Sequence, residues 1–234
     1  GYTNYKPWDI SVDVDGLSPL KPFDGGSELT DLSIECFNRL RPYFGECLST
    51  MKEMKHLDLE SKDGKAPGGF MYPLYEIGVP FIYMNAVGSQ RDVVTMVHEG
   101  GHAVHSFLSR DLAMTEFKST PSEVAELASM SMELLSMDHW DVFYSDDNEL
   151  KRSKLEQLEK ALETLPWVAA IDKFQHWIYT TEHTAKERKE QWLKINSTLG
   201  NQVINWEGQE NALANLWQKQ LHLYEVPFYY VEYG

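Results

Sequence analysis

The chain has 234 residues, with 36 acidic against 21 basic side chains and a formal net charge of −15; 42% of it is hydrophobic and 12% aromatic. That length gives one large or two small domains with a sizeable core. The charge opposes the phosphates of nucleic acid, which is excluded as a partner, and no run of about 18 apolar residues is present to span a membrane. The only cysteines, Cys36 and Cys47, do not make a disulfide framework, and two free thiols suit a reducing compartment. No basic, apolar, small-residue leader opens the sequence, so a cytoplasmic protein is expected. It starts at Gly1 rather than Met and stops just after a dense aromatic run; both ends are expected to be cuts in a longer polypeptide.

Residues 1–28 are rich in Pro, Gly and Asp and read as loop. From residue 27 to about 55, apolar side chains from Leu29 to Met54 recur at helical spacing, with Pro42 set to kink or break the run. Residues 58–69 are turn-rich, and two short extended runs follow, Phe70–Tyr75 and Val79–Val87. Ser89 is placed to cap a helix over Asp92–Ser109. After a polar connection at 110–120, another helix opens at Thr120-Pro121-Ser122-Glu123, with Thr or Ser as its cap, and runs to about Asp138. Helical patterns return over Glu149–Ala170, with a bend expected at Pro166, then over Ile171–Thr180, Thr184–Leu199 and Glu207–Leu221. The expected fold is mainly α with a small β-sheet, forming one catalytic domain over residues 1–234.

Inside the Asp92–Ser109 helix, His98, Glu99 and His102 form an H-E-x-x-H motif. A spacing of four stacks both imidazoles on one face, a turn apart, where they can share one tetrahedral Zn2+. Glu99 projects about 100° around the axis from His98. There it can act as general base on a water polarised by the metal. The bland alternative is a buried helix whose histidines and glutamate merely satisfy one another. Against it stand Gly100 and Gly101, each costing about 1 kcal/mol relative to alanine in a helix interior. They imply a close approach to the backbone, by the neighbouring strand or by substrate.

Zinc held by two histidines needs a third protein ligand and leaves the fourth position to water. Glu123, Glu126, Glu133 and His105 are the candidates. His105 lies about 10 Å along the axis from His98, too far to share the ion, and reads as packing or outer support. Glu126 and Glu133 are nearly two turns apart and therefore aligned. One can bind the metal while the other holds a histidine N–H. They share a small and apolar face (Ala125, Ala128, Ser129, Met130, Met132), where a carboxylate needs a partner. Glu126 is favoured as ligand and Glu133 as its support.

The stretches H-E-G-G-H-A-V-H-S-F and P-S-E-V-A-E-L-A-S-M-S-M-E resemble the thimet oligopeptidase/oligoendopeptidase F family of zinc peptidases. Upstream, G-K-A-P-G-G-F and P-F-I-Y-M-N-A-V-G-S-Q-R-D-V are similar to its glycine loop and substrate-side strand, and downstream Q-L-H-L-Y-E-V-P-F-Y-Y-V-E-Y-G to its His/Tyr segment. Within the family the oligoendopeptidase F-like branch is the nearer match. The resemblance implies one Zn2+ ion on His98, His102 and Glu126, Glu99 as general base, and a helical clam-shell with a deep channel that admits short peptides. Members are much longer, with a helical roof before this segment and further helices after it. The chain is thus expected to be a catalytic core whose partners are oligopeptides and the rest of its own polypeptide.

Attack on a peptide carbonyl creates an oxyanion that needs hydrogen-bond donors besides the metal. His222, Tyr224, Tyr229, Tyr230 and Tyr233 carry such donors, although an aromatic core segment explains a tyrosine-rich run equally well. The resemblance implies His222 and one tyrosine, Tyr229 first, then Tyr230 and Tyr224, with tail spacing that departs from the thimet-like branch. The strand over Val79–Asn85, carrying Tyr83 and Asn85, is expected to be an edge strand beside the motif helix that adds an extended peptide by main-chain hydrogen bonds. Gly68 and Gly69 are expected to form a flexible loop over substrate, or else a plain turn. The function expected is a zinc metallo-endopeptidase of short unstructured oligopeptides. A zinc aminopeptidase, or a zinc-binding fragment that turns nothing over, are the rivals.

Overall fold

The computed structural model describes residues 4–10, 12, 13 and 16–234, apart from the side chains of Ser122 and Glu123. Two compact units divide the chain: Pro19–Leu158, and Gly1–Ser18 with Glu159–Gly234.

In the Pro19–Leu158 unit, α1 (Gly25–Leu40) and α2 (Pro42–Glu53) are separated at Arg41, which is extended at φ −162° and ψ 127°. The break follows from Pro42, whose ring disfavours a helical conformation in the residue before it. Leu29, Phe37, Leu48 and Met51 on these helices are fully buried. Next comes β1 (Leu57–Glu60), overlapping the start of the stretch that reads as turn-rich. Its two apolar residues in four are too few for a periodic signal. β2 (Phe70–Tyr72) and β3 (Phe81–Ala86) are shorter than the extended runs expected around them. The sheet order is β1-β3-β2, with β1 parallel and β2 antiparallel to β3. This corrects the edge-strand expectation. The strand bearing Tyr83 and Asn85 is the central one, with β1 along one edge and β2 on the other over Phe81–Tyr83.

β3 turns its Ile82, Met84 and Ala86 into the core and leaves Phe81, Tyr83 and Asn85 half-buried, the alternation expected of a strand with one packed face. It leads into α3 (Gln90–Ser109). The Asp92 carboxylate accepts from the main-chain N–H groups of Val87 and Ser89 and from the Ser89 hydroxyl, at 2.8–2.9 Å, tying strand end to helix start. The polar connection holds a short helix, α4 (Thr115–Lys118). α5 (Ser122–Ser136) takes Pro121 as its cap, one residue from each expected hydroxyl, and passes at Met137 into a 3-10 turn that buries Trp140 completely.

α6 (Asp147–Thr180) runs 34 residues without a break at Pro166; it lies in the first unit to Leu158 and in the second from Glu159. The second unit has an aromatic core of Phe174, Trp192 and Trp217, with Trp192 donating to the Leu213 carbonyl at 2.9 Å. α7 (Ala185–Leu199) is capped by Thr184, whose hydroxyl accepts from Glu187 N–H. The helix expected over Glu207–Leu221 is instead α8 (Glu210–Ala214) followed by a 3-10 turn, Leu216–Lys219, because Asn215 leaves the helical region at φ −116° and ψ 9°. α9 (His222–Glu225) and a 3-10 turn, Tyr230–Tyr233, end the chain. No described helix is long and apolar enough to cross a membrane.

The two glycines of α3 have a different cause from the one expected. A Cβ on Gly100 would stand 2.7 Å from the Phe37 ring of α1. One on Gly101 would stand 2.8 Å from Ser129 Cα, 2.9 Å from Met132 Cβ and 3.0 Å from the Ala128 carbonyl, all on α5. Neighbouring helices, rather than strand or substrate, press on the backbone. Gly101→Ala is therefore expected to lower stability by about 1–3 kcal/mol despite alanine's better helix propensity, and by more than Gly100→Ala, whose clash is with a side-chain ring. Chemical denaturation measures both, and an unchanged Gly101→Ala would refute the packing argument.

Candidate metal centre

Helices α3 and α5 bring His98, His102 and Glu126 together, with one ligand atom from each within 4.8 Å of the others. Glu126 Oε2 lies 3.2 Å from His98 Nε2 and 3.6 Å from His102 Nε2. The rings stand edge to face, 5.0 Å between centroids. Glu126 is 3% exposed, and an isolated carboxylate so buried would be strongly disfavoured. Besides the imidazoles it has the Ser129 hydroxyl, 3.0 Å from the same oxygen.

Behind this trio, His98 Nδ1 donates to Glu133 Oε1 at 2.6 Å, and Glu133 Oε2 accepts from Gln157 Nε2 at 2.6 Å. With Nδ1 donating to Glu133, Nε2 faces Glu126, and loss of its proton would leave a lone pair there for a metal ion. Burial alone would push the His98 pKa down. Hydrogen bonds to Glu126 and Glu133 outweigh it and raise the pKa to about 10, so this position favours positive charge. Gln157 was not among the residues singled out from the sequence. It sits on a different, strongly charged helix, and only its burial at 5% exposure, which the fold decides, sets it apart.

Glu99 is buried on the same helix. The main chain of Met71, on β2, faces its carboxylate and favours the charged form. Its Oε2 is buried with no hydrogen-bond partner among the described residues. Burial raises the Glu99 pKa, and Glu126 adds to the rise against the pull of both histidines. His105 stands outside the three-donor group; burial, and then His102, lower its pKa.

The side chains of the central strand hold the glycine loop. Asn85 Nδ2 donates to the Ala66 and Gly68 carbonyls and the Tyr83 hydroxyl to that of Ala66, at 2.8–3.0 Å. Lys65 reaches the carbonyls of Asp58, Glu60 and Met84. Gly68 adopts φ +105°, and a Cβ on Gly69 would stand 3.0 Å from Thr95 of α3. The Gly68–Gly69 segment is thus hydrogen-bonded to β3 on one side and lies close to α3 on the other. His222, Tyr224, Tyr229 and Tyr230 belong to the other unit. There His222 is ringed by Tyr229, Tyr230 and Tyr233 at centroid distances of 6.2, 5.0 and 5.5 Å. Tyr224 is apart from this ring and stacks on Trp217.

A model of peptidase family M3 matches residues 45–234. An oligoendopeptidase F homolog of Lactococcus lactis subsp. lactis is 22% identical across 100% of this chain, which covers 38% of that relative. Oligopeptidase PepF of Bacillus subtilis is 28% identical over 60% of this chain and 21% of the relative. Among solved structures, PZ peptidase A with an inhibitor is matched at a TM-score of 0.91 and 28% identity, over 100% of this chain and 41% of that one. The chain spans well under half the length of these proteins.

The hydrogen-bonded line from His98 through Glu133 to Gln157 makes a measurable demand. Glu133→Ala is expected to weaken divalent-metal affinity roughly 10–100-fold, and Gln157→Leu about tenfold, the range found for groups that orient ligands. Chelator competition measures both, and unchanged affinity in the two variants would remove the line from the site.

Proposed function

Because the chain belongs to peptidase family M3, we propose that it is the catalytic core of a zinc metallo-endopeptidase acting on short unstructured oligopeptides. One observation carries this reading: two imidazole nitrogens and a carboxylate oxygen converge on one point, and the buried Oε2 of Glu99 on the same helix has no hydrogen-bond partner among the described residues. Ligand atoms set tetrahedrally about 2.1 Å from an ion lie about 3.4 Å from one another. Separations of 3.2 and 3.6 Å between Glu126 Oε2 and the two imidazoles suit that arrangement. Two imidazoles with one carboxylate suit zinc and leave a fourth position open.

When bound, the ion would polarise the scissile carbonyl and lower the pKa of water. The chain's own residues do the rest. His98 and His102 with Glu126 are the holding set, and Glu133 orients His98. Glu99 takes the proton of the attacking water and returns it to the leaving amine. His222 and Tyr229, with Tyr230 and Tyr224 as the next choices, donate to the developing oxyanion; the gathering of three tyrosines around His222 supports this assignment. Main-chain pairing with an extended substrate falls to β2, an edge strand that touches Glu99 through Met71. Tyr83 and Asn85 support it by holding the Gly68–Gly69 loop. The setting proposed is the cytoplasm. The chain's 38% span of the Lactococcus relative favours one other reading, a portion that binds metal yet turns nothing over by itself.

Metal content and cleavage of a quenched, amine-blocked peptide, compared between the wild type and Glu99→Gln, test the proposal. Glu99→Gln is expected to retain the metal and to lose about 10²–10⁴-fold in kcat/KM. Cleavage of the blocked peptide excludes an aminopeptidase. Metal binding without Glu99-dependent turnover would establish the inert portion instead.

A further inference from the structure

Around His222 the hydrogen bonds determine where an imidazole proton sits. Trp167 Nε1 and Gln220 Oε1 are 3.0 Å apart, and Gln220 Nε2 and His222 Nδ1 are 2.6 Å apart. An indole N–H can only donate, whereas a carboxamide has one accepting and one donating end. Trp167 therefore holds the Gln220 oxygen on its own side, since the reversed amide would set two donors face to face. The NH2 group is left pointing at His222. A ring nitrogen that receives an N–H must present its lone pair, so Nδ1 is unprotonated in the neutral ring and the proton resides on Nε2. The tyrosine ring contacts the same edge: Tyr233 OH lies 3.4 Å from His222 Nε2.

Trp167 is firmly seated. Its ring meets Trp192 edge to face at 5.6 Å, Lys219 lies over it at 4.4 Å, and its N–H also lies against the Tyr230 hydroxyl. Both its polar neighbours have accepting oxygens, and neither turns the indole into an acceptor. We propose that Trp167 and Gln220 are positioning residues that fix the neutral tautomer of His222 with its proton on Nε2. For an imidazole that serves as an N–H donor to substrate, this selects the nitrogen that donates; only that catalytic consequence rests on the function proposed above.

Long-range ¹H–¹⁵N spectra of histidine-labelled full chain, recorded above the imidazole's ordinary pKa of about 6.5, test the tautomer directly. The His222 signals are identified by their loss in His222→Gln. The wild type is expected to show an unprotonated Nδ1 and a protonated Nε2; a protonated Nδ1 would overturn the proposal. Gln220→Glu keeps an acceptor for Trp167 but puts a second acceptor against the ring. It is expected to move a proton onto Nδ1, as the other tautomer or as imidazolium, and an unchanged spectrum would again overturn the proposal. Trp167→Phe frees the amide to reverse and should give a mixture of tautomers. In kinetics, Gln220→Glu in the other tautomer should lower kcat on the order of 10²-fold, the cost of one misdirected oxyanion donor, with KM little changed; as imidazolium it keeps the Nε2 proton and should keep kcat. If the wild-type tautomer is as stated but His222→Gln keeps full kcat, the tautomer assignment stands and the donor role of His222 falls.

Discussion

The contact between α3 and α5 at Gly101 sets the positions on which the rest of the candidate site depends. Without a side chain there, the backbone at Ser129 comes to where a Cβ would clash at 2.8 Å. At that separation Glu126 Oε2 reaches both imidazoles and Glu133 reaches the far nitrogen of His98. A wider spacing would take the imidazoles from two carboxylates and leave them only Ser129 and Gln157, a costly arrangement for buried charge. The helix-propensity cost of the glycines, about 1 kcal/mol each, is thus set against the larger cost of stranded charge. Gly100 does the same toward α1, where the fully buried Phe37 ring fills the space.

Charge buried this deeply is tolerated only as a network in which each member has a partner. Glu126 has two imidazoles and Ser129; Glu133 has His98 and Gln157. The exception is Glu99, whose Oε2 has no hydrogen-bond partner among the described residues. An unsatisfied buried oxygen in an otherwise satisfied group marks where structure gives way to chemistry. The sheet serves the same helix. The Asp92 cap ties the end of β3 to the start of α3, and Met71 of β2 reaches Glu99, so the motif residues are held from both the sheet side and the α5 side.

Local features were legible where the cause was local. The break before Pro42 and the start of α3 at Ser89 each depend on a few neighbouring residues. Features that depend on distant partners were not. β1 has two apolar residues in four and becomes a strand only because β3 lies beside it. The pattern over Glu207–Leu221 has helical spacing yet folds as separate turns, since spacing says which side chains are apolar but not whether the backbone stays helical at Asn215. The hydrogen bonds of the glycine loop were not legible because its partners, Tyr83 and Asn85, lie well downstream.

What the sequence determined by itself is the set of groups within one helical register. His98, Glu99 and His102 share a helix, and Glu126 and Glu133 are aligned on another, because 3.6 residues per turn makes such spacings geometric facts. Only the tertiary structure decided the pairings across elements: Glu126 to both imidazoles, Gln157 to Glu133, β3 at the centre of its sheet, and Trp167 to Gln220 to His222. The reason is that a periodicity specifies a face. Which other face comes to meet it depends on how the whole core packs, and no stretch of sequence holds that information alone.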